Sequence, residues 1–235
     1  MSLTDRLPFP VDRRPLRMLF SRRPWVATAY LLGYLPLAPV MFALTVAALA
    51  VSTVLNVTLI GLPLLVGAAG LVRGFAHLER LRARPLVGPV PARYRPVPAP
   101  GVMSALRTRW RDPSTWRACA YLVALFPPLL ILDAAVLIVW FSVLGSITSP
   151  AWYWAVPGGG VLFMWSDSLV TSVVSAVIAA GLAPYCAYLV TGAALLHAHV
   201  ARSLLGPGAD PLAEAKHMLS ENGPAVSDLS ERPIR

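Results

Sequence analysis

Charge is the scarcest resource in this sequence. Asp, Glu, Lys and Arg together make 13% of 235 residues, and none of them falls between Arg23 and Arg73. Lysine is nearly absent, with Lys216 the single one among 20 basic residues. A soluble domain needs a charged surface, and 57% apolar residues with a mean hydropathy of +0.65 exclude one. Cysteine is equally sparse. Cys119 and Cys186 sit far apart in apolar runs, which excludes a disulfide framework or a cysteine metal site and leaves small core residues. No GxSxG, HExxH, P-loop or CxxC occurs, so catalysis has no support and neither metal nor cofactor is expected. The first apolar run begins too late and runs too long for a cleaved signal peptide.

What is present reads as membrane helices. The uncharged stretch 24–72 can hold two spans of about 20 residues each. Between Arg117 and Arg202 the charges are Asp133 and Asp167 alone. The pattern predicts an all-α integral membrane protein with four helices, at about 25–51, 59–81, 113–144 and 169–200. Asp112-Pro113 is a helix-start signal for the third. Residues 1–23 read as a basic terminus with a short interfacial helix over 15–22. Residues 24–208 form the membrane domain, and 209–235 read as a polar, mostly disordered tail. The Pro-rich stretch from Pro85 to Pro100 cannot be helix and predicts an extended loop over 82–111, with a surface-lying basic helix at its end.

Arginine confined to 6–23, 73–117 and beyond 202 is the positive-inside pattern. It predicts cytoplasmic N- and C-termini in a plasma membrane protein, and a basic segment serving lipid headgroups rather than nucleic acid. Arg80, Arg82, Arg84, Arg107, Arg109 and Arg111 are the candidate membrane-surface or partner-facing residues.

Two internal matches organise the chain. WVATAYLLGYLP at 25–36 recurs 91 positions later as WRACAYLVALFP, with six of twelve identities. Residues 69–89 recur at 187–207, an offset of 118, with eleven identities. The arrangement predicts a duplicated two-helix hairpin, both copies entering from one side and so parallel. The growth of the offset from 91 to 118 places 27 extra residues between the helices of the second copy. They fall in the aromatic segment 145–168, expected at the outer interface.

Asp133 is the one clear intramembrane charge and a candidate ligand or proton site, or else a helix-to-helix hydrogen-bond partner. Trp152, Tyr153, Trp154 and Trp165 are candidate stimulus residues in the outer segment. His197 and His199 are two apart and cannot share a helix face, so they make a poor metal pair and read as helix C-terminal residues. Gly70 and Gly74 form a GxxxG pair that would admit a second helix.

RRPWVATAYLLGYLP at the entry, IGLPLL at 60–65, FAHLERLRARPLVG at 75–88, DPSTWRACAYL at the re-entry and HVARSLLGPG at 199–208 together resemble the sensor-domain family of actinobacterial two-component histidine kinases. The resemblance covers about 20–208 and implies a multi-helix signalling module of undefined ligand. It assigns no functional residue. No ATP-binding glycine motif occurs, and His217 in AEAKHMLSEN does not fit a phosphoacceptor box. Without a kinase, the resemblance implies output to a kinase or transcription regulator in trans, or within a homo-oligomer. The alternative is a small transporter or permease subunit using Asp133; the residual one is a structural assembly partner.

Overall fold

The computed structural model describes residues 15–58, 60–92, 94–96, 101–155, 160–161, 164–165 and 168–207. Helix α1 is Pro15–Leu19, α2 Arg22–Val54, α3 Gly61–Val87, α4 Val102–Trp110, α5 Pro113–Cys119, α6 Phe126–Thr148 and α7 Leu169–Leu205. Four helical stretches are long and apolar enough to cross a membrane: Arg22–Val57, Gly61–Val87, Phe126–Ala151 and Leu169–Leu205. The protein is therefore an all-helical, multi-pass membrane protein. Its described β-structure is one pairing of two residues with two, Gly160–Val161 (β1) against Met164–Trp165 (β2).

Proline shapes the spans without ending most of them. Pro36 and Pro39 lie inside an unbroken α2, and Pro184 inside α7. The expected third helix is instead divided. Pro127 and Pro128 lack the amide protons that would close the preceding turn. A π turn at Ala120–Ala124, with the Leu125 amide donating to Ala120 O at 3.1 Å, takes up the mismatch. Helix α7 begins on a reciprocal cap, in which the Ser168 and Thr171 side chains each accept from the other's backbone amide.

Between the helices the core is built from small residues. Ala69, Ala76 and Ala83 on α3 and Ala187, Ala194 and Ala201 on α7 recur every seven positions and are all buried. Small side chains at this spacing let helix backbones approach closely.

The relation between the hairpins differs from the parallel one expected. Trp25 meets Trp140 with ring centroids 6.1 Å apart, and Phe42 stacks on Phe126 at 4.5 Å. Ascending α2 therefore descends α6, and the two run antiparallel. Helices α3 and α7 share both core clusters, and their last turns meet, with Arg202 donating to Val87 O at 3.0 Å. Trp25 and Trp116, matched in the repeat, lie in different surroundings: Trp25 against Trp140, Trp116 against Trp110.

The reason lies in the connection. Helix α3 continues through Pro85 to Val87, beyond the expected end near 81. The chain after Gly88 then returns along the bundle rather than hanging as a loop. The Tyr94 ring lies 4.5 Å from the Arg73 guanidinium and 5.4 Å from that of Arg80. The Trp110 indole donates to Leu65 O at 3.1 Å, and Arg109 donates to Val66 O at 2.9 Å. Gly70 makes room for the Arg109 side chain, 3.4 Å from where a Cβ would stand, and Gly74 has no neighbour there. The GxxxG pair thus receives a side chain, not a second helix.

The turn into α5 is fixed by Asp112. Its carboxylate accepts from the Ser114 and Arg95 amides, each at 3.0 Å, and from Arg73 at 3.1 Å. Burial raises the Asp112 pKa, but the amides of Arg95 and Ser114, the Ser114 hydroxyl and the Arg73 charge outweigh it and hold the group below its ordinary value. A depressed folded pKa contributes stability that is present at neutral pH and lost as pH falls through that value. Asp112→Ala is expected to cost about 1–3 kcal/mol at pH 7, combining a lost cap with a stranded Arg73. Thermal unfolding in detergent checks this; the gap from wild type narrows only below the ordinary carboxylate value of about 3.9.

Candidate functional site

The buried faces of the long helices converge on a chain of polar side chains. On α3 the buried positions Val72, Ala76, Glu79, Ala83 and Leu86 form one stripe at helical spacing, and Glu79 is the charged member. On α7 the corresponding stripe carries His197 between Ala194 and Ala201. The offset of 118 makes Glu79 and His197 matched positions in the repeat. From α6 comes Asp133, and from the π turn Tyr121. Helix α2 supplies Tyr30 and Tyr34.

The links are short. His197 Nδ1 lies 2.7 Å from Asp133 Oδ2, and His197 Nε2 lies 2.9 Å from the Tyr121 hydroxyl. That hydroxyl donates to Glu79 Oε2 at 3.2 Å. Arg82 donates from Nη1 to Glu79 Oε1, closing an ion pair, and from Nη2 to Tyr30 O at 2.7 Å. The Tyr30 and Tyr34 rings stand edge-on to the imidazole with centroids 5.3 and 4.4 Å away. Asp133, Glu79 and His197 are fully buried, each at 0% exposure. This is the condition under which ionisable groups must pair.

A chain of five side chains, Asp133, His197, Tyr121, Glu79 and Arg82, thus crosses the bundle core, each member held by its neighbour. Within and beside it, Asp133 Oδ1 and the Tyr30 hydroxyl are buried without a hydrogen-bond partner among the described residues.

Of the candidate residues singled out from sequence, Asp133 and Arg82 belong to this site, Asp133 as a helix-to-helix bond to His197 and Arg82 as the partner of Glu79. Arg80 and Arg82 face inward rather than outward. Arg80 donates to the Tyr94 hydroxyl at 3.0 Å and to Leu205 O at 3.3 Å. Arg202 donates to Val87 O at 3.0 Å. Val87 and Leu205 are matched positions, so the last carbonyls of α3 and α7 are each capped by an arginine from the other helix. Arg109 is held by Val66 O, while Arg84, Arg107 and Arg111 are exposed. Trp152 and Tyr153 are half-buried, with the Trp152 indole donating to Thr148 Oγ1 at 3.2 Å, and Trp154 is exposed. Trp165 pairs with Gly160 in the short β-ladder. The fifteen residues of α6 between Asp133 and Thr148 span about 22 Å, so this segment and Asp133 are not one site. Asp167 and His217 lie outside the described residues.

Sequence reading missed Glu79, Tyr121, Tyr30 and the burial of His197. The available signal was the match of Glu79 to His197, and of Tyr30 to Tyr121, on faces otherwise made of alanine. No group of three or more metal-ligating side chains occurs among the described residues.

The pair and its neighbours separate experimentally. His197→Ala leaves Asp133 buried without its partner and is expected to cost about 3–5 kcal/mol. Replacing both members, Asp133→Leu with His197→Leu, is expected to cost far less or to stabilise, since an apolar pair avoids desolvation. Unfolding of the purified chain in detergent reads both.

A search of curated proteins and a search of solved structures each return no match. Comparison with known families matches residues 30–205 to the one described as "Putative sensor", from Tyr30 at the buried chain to Leu205 at the end of α7. That match covers about three quarters of the sequence and takes in every residue of the buried polar chain, and the protein belongs to this sensor family.

Proposed function

We propose that the protein is a non-enzymatic membrane sensor whose buried polar chain sets the relative packing of its helices. Family membership supports a sensing role. The observation that carries the mechanism is the run Asp133–His197–Tyr121–Glu79–Arg82, which links α6, α7, the π turn and α3, with α2 held through Tyr30 O. A link of this kind couples the helices, because displacing one of its members leaves a buried polar group unsatisfied. A stimulus acts by binding one helix arrangement better than another. Candidate inputs are Asp133 within the bundle and the aromatic segment of Trp152, Tyr153, Trp154 and Trp165. The exposed Arg84, Arg107 and Arg111 are candidate contacts for the bilayer surface or for a partner. The output passes to a cytoplasmic kinase or transcription regulator in trans, from the plasma membrane and within a homo-oligomer if the chain self-associates.

Transcript profiling of a deletion strain tests this. Loss of the chain is expected to shift a defined set of transcripts, restored by wild type and not by the Asp133→Leu/His197→Leu double variant inserted at equal level. No transcript change on deletion, or full restoration by the double variant, contradicts the reading.

A further inference from the structure

We propose that the end of the bundle carrying α4 binds an anionic phospholipid of the bilayer. This rests on the sensor reading only for its consequence, since binding itself does not depend on signalling. Two cavities adjoin there. One, of about 680 Å³, is walled by Leu49, Leu65, Leu106, Trp110, Trp116 and Cys119. The other, of about 620 Å³, is lined by Arg95, Ser104 and Thr108. Met103, Arg107 and Arg111 line both. The first is almost wholly apolar and the second carries a larger polar share, with a basic pair on their boundary. That is the division of an acyl chain from its headgroup, in volumes within the usual range of ligand pockets.

The basic pair is available. Arg107 of α4 and Arg111, the residue capping its end in helical conformation, are four apart, so their side chains are neighbours on one face. Both are exposed and their side chains make no ion pair or hydrogen bond among the described residues, and Arg95 is likewise exposed. By contrast, Arg109 on the same helix is tied to Val66 O. Guanidinium groups set as a pair match the oxygens of a phosphate.

The wall is preformed. The Trp116 indole donates to Trp110 O at 2.8 Å and the Trp110 indole to Leu65 O at 3.1 Å, while the two rings meet edge-on at 5.5 Å. Indoles beside arginines are the composition of a headgroup-level belt. Trp116 and Met103 are more than half exposed, as are Val51 and Val54 on the adjoining stretch of α2, which leaves the groove open to lipid along its side. A bilayer lipid can enter there without leaving the membrane.

Native mass spectrometry of the full chain released from nanodiscs tests the proposal, using phosphatidylglycerol and phosphatidylcholine with identical chains, and palmitate as a third arm. The expected result is retained phosphatidylglycerol, favoured at least tenfold over phosphatidylcholine. Arg107→Gln with Arg111→Gln removes that preference without changing the melting temperature, and Leu106→Trp lowers occupancy of both phospholipids. Equal retention of the two phospholipids, wild-type preference in the double variant, or stronger retention of palmitate than of phosphatidylglycerol overturns it. If the lipid binds as expected while Asp133→Leu with His197→Leu fully restores the transcript profile, the sensor reading fails and the site stands.

Discussion

The contact between His197 and Asp133 governs this structure. Neither residue can be carried into an apolar bundle alone, because an isolated buried charge costs several kcal/mol even after relaxation. Each is tolerable because the other is there, and Tyr121 extends the same logic to Glu79 and thence to Arg82. The helices are consequently not free to slide independently. Displacing α6 from α7 breaks the pair, and displacing α3 strands a carboxylate. The surrounding alanines bring the backbones close enough for such short side chains to meet.

The repeated hairpins give this arrangement its form. Antiparallel packing of α2 on α6 and the meeting of the last turns of α3 and α7 place matched residues on facing helices. Tyr30 and Tyr121 approach the His197 imidazole from different helices, and Glu79, matched to His197, is joined to it through Tyr121. The two matched positions carry a carboxylate in one half and an imidazole in the other, which makes them complementary where two like groups would repel.

Much of this was legible from residue patterns, and the remainder was hidden for identifiable reasons. The four membrane helices follow from long uncharged runs, and the start of α5 follows from the Asp112-Pro113 capping signal. The orientation of the second hairpin was not legible. Arginine distribution reports which segments flank a bilayer, but Arg80, Arg82, Arg109 and Arg202 are occupied in capping carbonyls and pairing Glu79, so they do not mark a surface. The placing of Tyr94 against α3 depends on contacts with Arg73 and Arg80 that no local pattern encodes. Asp133 stood out because it is alone in its run. His197 did not, because a histidine near a helix end has an ordinary explanation, and only the three-dimensional meeting with Asp133 removes it.

The central claim is that Glu79 and Asp133, on different helices and not in contact, belong to one connected unit. A double-mutant cycle on the purified chain, with Glu79→Gln, Asp133→Asn and the two combined, measures this through unfolding free energies. The account expects a coupling of about 1 kcal/mol or more, as found for residues in one hydrogen-bond network. Additivity within about 0.5 kcal/mol, the behaviour of independent sites, would contradict it.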